Sequence, residues 1–309
     1  MPKKKIKVLN IVGWGRSGST VLGNVLGEID GFFFGGEIRN VWNRVLIENR
    51  QCGCTKPIKE CDFWSKVFDD AFGGFEVVDP KAMQVLLKSY TRTRHLPLLF
   101  LPNSKKYFKN KLNEYLANLE KLFQSISDIS GSRVIIDSSK SASYSLMLSL
   151  IDNIDLHVIH LIRDSRGVAY SRLKTKFHQE DKQVIEMKKM SSFNNSIMWD
   201  VRNFATELLW HKFPERYIRI KYEDFASMPE EVLKTILEAV GEESKHLPFV
   251  SKNTVKLNAN HAVWGNPSRF QTGLVELKLD EEWKRKMHMR DKIIATMLTW
   301  PLLLKYGYC

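Results

Sequence analysis

The chain has 309 residues, of which 43% are hydrophobic and 8 are tryptophan, ample for a sizeable core. No stretch approaches the roughly 18 uncharged residues of a membrane span, which excludes a helical membrane protein and leaves a soluble one. The formal net charge of +12 says that the surface attracts anions, and nucleic acid, an acidic membrane or a multiply charged nucleotide would each satisfy it.

The N-terminus runs from Met1-Pro2-Lys3-Lys4-Lys5 straight into an apolar run without a signal-peptide stretch, so a cytoplasmic location is expected. Apolar runs predict strands at residues 7–12, 31–34, 133–137, 156–162 and 217–220. Helical periodicity lies between them: Leu112, Tyr115, Leu116, Leu119, Leu122 and Phe123 mark one buried face, and Met198, Val201, Ala205, Leu208 and Leu209 another. A further helix should start at Pro229 and stop at Gly241, because proline suits a first turn and glycine a C-terminal cap. The apolar residues 293–304 contain Pro301 and predict a buried C-terminal helix. Alternating strands and helices without a linker imply one α/β domain over residues 1–309, a mainly parallel sheet covered by helices.

Two local features stand apart from this pattern. Lys88, Arg92, Arg94, Lys105, Lys106, Lys109 and Lys111 follow one another with no acidic residue between, as a solvated face, a lid or a contact for an anionic ligand. Cys52, Cys54 and Cys61 cluster in CGCTKPIKEC, but no histidine is near in sequence and CxC is not the usual finger spacing. Reduced structural thiols are therefore expected ahead of a disulfide or a metal site.

Chemistry concentrates in GWGRSGST, residues 13–20, directly after the first strand. Gly13, Gly15 and Gly18 let the backbone turn so that successive N–H groups and the next helix N-terminus face one anion. A loop for ATP or GTP carries lysine before its Ser/Thr, for the β/γ-phosphates, and the Ser/Thr holds magnesium. Here Ser19-Thr20 follows Gly18 and the cation is Arg16, a forked, permanently charged donor that needs no metal bridge. The ligand should be a 5′-phosphate bearing a group less charged than a γ-phosphate, and a sulfuryl group fits.

A second motif, HVIHLIRDSRGVAYSR, spans residues 157–172. Arg163 ends an apolar strand and Ser171 lies two turns along the next helix, where a strand's C-terminal end in an α/β sheet can hold a second phosphate. Two phosphate sites imply a nucleotide phosphorylated at both ends.

With these two motifs the chain resembles the sulfotransferases that use 3′-phosphoadenosine 5′-phosphosulfate (PAPS), in the arginine version of their 5′-phosphosulfate loop common among carbohydrate and bacterial members. Arg16-Ser17-Gly18-Ser19-Thr20 is similar to that loop, and Arg163 with Ser171 is similar to the 3′-phosphate motif. RYIRIKYEDF (216–225) and GNPSRF (265–270) are similar to a family strand and to a late loop that wraps the nucleotide. The resemblance implies a P-loop-like three-layer fold with a central parallel sheet, and sulfuryl transfer to a hydroxyl or amine without a metal, leaving 3′,5′-ADP. It implies nucleotide contacts from Gly15, Arg16, Ser17, Gly18, Ser19, Thr20, Arg163, Ser171 and Arg269.

In-line transfer needs a base for the acceptor's proton and cations for the leaving phosphate. GGEIR resembles the base-bearing loop of tyrosylprotein and bacterial sulfotransferases, which makes Glu37 the expected base, against the plainer reading of a surface carboxylate paired with Arg39. Cytosolic members use a histidine after the third strand; this chain has IIDSSKSASY there, although His261 could approach the site. Lys140 could reach the bridging oxygen, while Asp137 mimics a Walker-B acid and is expected only to orient Lys140 or cap the turn. His160 reads as a core histidine, and Trp264 as core packing ahead of adenine stacking. A magnesium-dependent kinase or NTPase, and a non-enzymatic polyanion binder, are the alternatives. The acceptor, be it carbohydrate, lipid-linked or polyketide hydroxyl or another small metabolite, is open. No nucleic-acid partner is expected.

Overall fold

The computed structural model describes residues 5–91, 103–174, 177–180, 183–186, 189–244 and 246–309. It opens on β1 (Ile6–Val12), whose side chains alternate between two cores: Val8 and Val12 face one, Leu9 and Ile11 the other. A strand buried on both faces must be apolar throughout, and such strands belong to parallel sheets covered on both sides.

β1 is the centre of that sheet. It pairs in parallel with β3 (Val134–Asp137) on one side and β4 (Ile154–Ile162) on the other. β2 (Phe32–Gly36) and β7 (Tyr217–Lys221) complete the parallel order β2-β3-β1-β4-β7. These five strands are the five expected from the apolar runs, displaced by at most two residues at any end. The order reverses at β1, so the crevice where α/β sheets take ligands opens beyond the C-terminal ends of β1, β3 and β4.

Helices cover both faces. On one, α2 (Asp62–Phe72), α5 (Asn113–Ser130) and α6 (Ala142–Leu148) bury Trp64, Phe68, Leu119, Phe123 and Met147. On the other, α1 (Ser19–Gly27) and α10 (Pro229–Val240) bury Leu22, Val25, Leu26, Leu233 and Ile236. α10 begins at its proline and ends at Gly241, whose φ of 64° gives the left-handed cap expected of glycine. Further helices are α3 (Pro80–Tyr90), α4 (Ser104–Lys111), α7 (Ser165–Leu173), α8 (Ser192–Trp210), α9 (Tyr222–Ser227), α11 (Glu282–Lys286) and α12 (Met289–Lys305). A hairpin of β5 (Phe177–Glu180) and β6 (Gln183–Glu186) stands apart, as does an antiparallel sheet of β8 (Phe249–Ser251), β9 (Thr254–Leu257) and β10 (Gly273–Glu276).

One expectation changes. The C-terminal segment is helical as α12 but only partly buried: Ala295, Thr299 and Leu303 are its buried residues, while Met297 is 74% and Trp300 54% exposed. Apolar content alone does not say which face a neighbour covers. Of the basic run, Arg92 and Arg94 lie outside the described residues, and Lys109 pairs with Asp152 at 2.6 Å on the surface. Among the described residues no helix is long and apolar enough to cross a membrane.

The turn leaving β1 packs backbone directly against backbone. Gly13 has φ 126°, and a Cβ there would lie 2.5 Å from the Leu161 carbonyl oxygen of β4. Gly13→Ala should therefore lower unfolding free energy by on the order of 1–3 kcal/mol, the cost of a strained backbone position. Chemical denaturation measures this, and an unchanged midpoint would show that the turn relaxes freely.

Candidate active site

All five strands of the parallel sheet deliver residues to one cleft of about 480 Å³. Beyond β1 come Trp14, Gly15, Arg16 and Gly18; beyond β2, Glu37; beyond β3, Ser139 and Lys140; beyond β4, Arg163; beyond β7, Tyr222.

The glycine loop turns through Arg16 at φ 75° and Gly18 at φ 84°. A Cβ on Gly18 would stand 2.7 Å from the Tyr222 ring, so only glycine admits that ring beside the loop. Ser17 turns its hydroxyl back onto the Trp14 carbonyl at 2.8 Å, closing the loop on itself. α1 starts at Ser19 with no side-chain cap and no acidic residue in its first turn. Its leading N–H groups and the positive end of its dipole therefore face the cleft, where an anion satisfies both.

The second motif meets the first directly. Arg16 Nε donates to Ser171 Oγ at 3.1 Å, and Arg163 donates to the Arg16 carbonyl oxygen at 3.1 Å. The other Arg163 amino group donates to the backbone and carboxylate oxygens of Asp280, each at 3.1 Å, and its guanidinium lies 4.4 Å from the Tyr222 ring centroid. Asp164 caps α7 by accepting from the Arg166 N–H at 2.8 Å, while its own N–H donates to Glu223 at 3.1 Å. That fixes the strand-to-helix corner presenting Arg163 and Ser171.

Arg172, next to Ser171, also lines the cleft and lies 4.8 Å from the Trp14 ring centroid. Burial, then Arg172 and Arg163, draw the Arg16 guanidinium below the ordinary arginine value. Like charges gathered in a half-enclosed space carry an energy that a bound anion relieves.

Across the cleft, Glu37 receives an ion pair from Lys140 and a hydrogen bond from the Asn40 amide at 2.8 Å. Lys140 sits at φ 55° in the turn after β3, and Asp137 shapes that turn by accepting from the Ser139 N–H at 2.9 Å. Asp137 is fully buried, burial pushes its carboxyl up to about 7, and it lies outside the cleft wall. It is a turn former, as its sequence context suggested. Arg39 joins the wall instead of pairing with Glu37: its N–H donates to Ser139 Oγ at 3.0 Å and its guanidinium to Thr91 at 3.1 Å.

The late loop closes the cleft from above α1. Trp264, Gly265, Asn266 and Ser268 line it; the Asn266 N–H donates to Thr20 Oγ1 at 3.2 Å, and the Asn24 amide to the Ser268 carbonyl at 2.8 Å. Trp264 serves as both wall and packing surface, with the Arg44 guanidinium 4.0 Å from its ring centroid.

Three sequence expectations are corrected here. Arg269 is 1% exposed and points inward, donating to the Gly265 carbonyl at 3.1 Å and packing 4.1 Å from the Phe270 ring centroid. It fastens the loop from beneath, and the loop's cleft-facing groups are Asn266 and Ser268. The Ser17 hydroxyl likewise serves the loop and not the cleft. His261 stays away from Glu37; it stacks on Phe63 at 4.9 Å and lies against the cysteine cluster, so the idea that no histidine is near Cys52, Cys54 and Cys61 fails in space. His160 is the core histidine expected, bonded to Tyr217 at 2.8 Å and Asn203 at 2.9 Å, with burial lowering it to about 4.

Sequence reasoning missed Arg172, Tyr222 and Asp280 as wall residues. Arg172 and Tyr222 sit inside quoted motifs, where adjacency to Ser171 and the turn after β7 were the available signals. Asp280 has none, since it arrives from a loop far along the chain.

Residues 9–246 match the model of the sulfotransferase family. The chain is similar in fold to the sulfotransferase domain of the Synechococcus PCC 7002 olefin synthase, with a TM-score of 0.51 at 18% identity over 97% of this chain and 95% of that one. It is also similar to a sulfotransferase domain from the curacin biosynthetic pathway (TM-score 0.49, 15% identity, 95% and 97% covered). A Mycobacterium avium sulfotransferase gives a TM-score of 0.43 at 13% identity, with 78% of this chain and 64% of that one covered. No curated protein matches the chain in sequence. The family match runs from within β1 through β7 and so includes the glycine loop, Glu37, Lys140, Arg163 and Ser171: the chain belongs to the sulfotransferase family.

Proposed function

We propose that this chain transfers a sulfuryl group from PAPS to a hydroxyl or amine of a small-molecule, polyketide, lipid-linked or carbohydrate acceptor. The observation that carries the reading is the junction of Arg16, Arg163 and Ser171 in one cleft, two anion-binding motifs from separate strand ends held within hydrogen-bond distance of each other. An Arg16 guanidinium drawn down by burial and by the Arg172 and Arg163 charges beside it fits a ligand with negative charge at both ends.

In this reading the α1 N-terminus and residues 15–20 hold the 5′ end of the nucleotide, and Arg163 with Ser171 holds its 3′-phosphate, releasing Asp280. When bound, the donor supplies the sulfuryl group, which leaves a phosphate oxygen for the acceptor oxygen or nitrogen. Glu37 takes the acceptor's proton. Arg16 and Lys140 stabilise negative charge on the departing phosphate. The Glu37–Lys140 pair sets base and cation side by side, so that one ammonium both orients the carboxylate and faces the reaction. A magnesium-dependent NTPase is disfavoured by the loop, which lacks the lysine before Ser19-Thr20, and by Asp137, which accepts from Ser139 and does not line the cleft.

Arg16→Ala and Arg163→Ala should each weaken 3′,5′-ADP binding by about 10-fold or more, the scale of a lost charge-assisted hydrogen bond. Calorimetry with each variant checks this, and wild-type affinity in both would refute the donor assignment. Glu37→Gln should keep nucleotide affinity and lose turnover by about 10²-fold or more, as expected on removing a general base. Lost affinity instead would make Glu37 a structural residue. Screening acceptors with radiolabelled donor identifies the second substrate.

A further inference from the structure

On the sheet face away from α1, three cysteines and one distant histidine converge. Cys52 and Cys61 are buried, Cys54 and His261 half-buried, and their ligand atoms all lie within 4.8 Å of one another. Cys54 and Cys61 sulfurs are 3.6 Å apart; His261 Nδ1 is 3.3 Å from the Cys61 sulfur and 3.7 Å from that of Cys52.

These distances match one particular chemistry. A tetrahedral zinc with Zn–S near 2.3 Å and Zn–N near 2.0–2.1 Å places its sulfurs about 3.8 Å apart and sulfur and nitrogen about 3.6 Å apart. A disulfide needs sulfurs bonded at roughly 2.05 Å, and three cysteines leave one over. The set is too compact for more than one ion.

The surroundings are those of a thiolate site. Backbone N–H groups of Cys54, Lys56 and Trp64 donate to the sulfurs of Cys52, Cys54 and Cys61, respectively. Such donors offset thiolate charge and fix ligand orientation. Thr55, in the left-handed region at φ 71°, turns the chain between Cys54 and Lys56, and the Thr55 N–H donates to the Cys52 carbonyl at 2.8 Å. The His261 backbone is held too: Trp64 Nε1 donates to its carbonyl at 2.8 Å, and the Gly53 N–H to the next carbonyl, that of Ala262, at 3.0 Å.

We propose that Cys52, Cys54, Cys61 and His261 bind one structural zinc ion that fastens the late loop to the segment leading into α2. The consequence reaches the cleft through the backbone. Directly after His261, the Val263 N–H donates to Gly35 and the Glu37 N–H to the Trp264 carbonyl, both at 3.0 Å. The zinc therefore anchors the segment that positions Glu37 and the loop lining Asn266 and Ser268.

The test is metal content. Full-length protein purified without chelator should carry about one zinc per chain by plasma mass spectrometry, as a closed four-ligand site requires. Protein grown with cobalt should show the intense visible absorption of tetrahedral cobalt thiolate. Cys54→Ser and His261→Ala should lower zinc content by about 10-fold, and His261→Cys, which restores a fourth ligand, should retain it. Folded wild-type protein with no stoichiometric metal and four reactive thiols, the three of the cluster besides the exposed Cys309, would overturn the proposal. So would a Cys54–Cys61 disulfide in the purified protein, or iron at full occupancy in place of zinc. The wild-type zinc content and cobalt spectrum decide the matter even if a variant fails to fold.

Discussion

The site is organised by repulsion. Arg16, Arg163 and Arg172 are drawn together at the ends of β1 and β4, and burial compounds their mutual effect on Arg16. Arg16 donates to a serine hydroxyl, Arg163 to a carbonyl and to the half-exposed Asp280 carboxylate, and Arg172 lies over an aromatic face. That arrangement suits arginine and not lysine. A guanidinium keeps its charge where burial and neighbours depress its pKa, whereas an ammonium, starting roughly two units lower or more, would move toward neutrality. An arginine in the glycine loop, where other phosphate loops carry lysine, thus keeps its charge beside Arg163 and Arg172.

The backbone makes such crowding possible. Glycine at positions 13 and 18 lets the first loop press against β4 and Tyr222, and the switch of strand order at β1 brings the β3 turn to one side and the β4 corner to the other. The Glu37 loop after β2 depends on a longer-range tie, the backbone of residues 262–264, which is itself held at His261. The geometry of the cleft thus rests on two kinds of support: sheet register near the glycine loop, and a loop brought back from the far end of the chain at Glu37.

The legible parts of the sequence follow this division. Strands β1 to β4 could be read because they are almost wholly buried and so nearly continuously apolar, and β7 because its Ile218 and Ile220 recur at a strand's period of two; the glycine loop, Glu37, Lys140 and Arg163 each follow such a strand within a few residues, and Ser171 lies two turns along the helix after β4. What failed was orientation and distance. Arg269 lies in the right loop but points inward, since nothing in GNPSRF says which way a side chain turns. α12 is apolar yet half-exposed, because burial is decided by what α7 and α8 cover. His261 joins Cys52 from 209 positions away, a separation at which sequence proximity says nothing.

The central claim is that the glycine loop and the Arg163 motif hold opposite ends of one nucleotide. A crystal structure of the protein soaked with 3′,5′-ADP tests it most directly. The 5′-phosphate should lie on the N–H groups of residues 15–20 and the 3′-phosphate on Arg163 and Ser171, with Asp280 displaced. Density for the nucleotide elsewhere, or with only one phosphate in the cleft and the other in solvent, would contradict it.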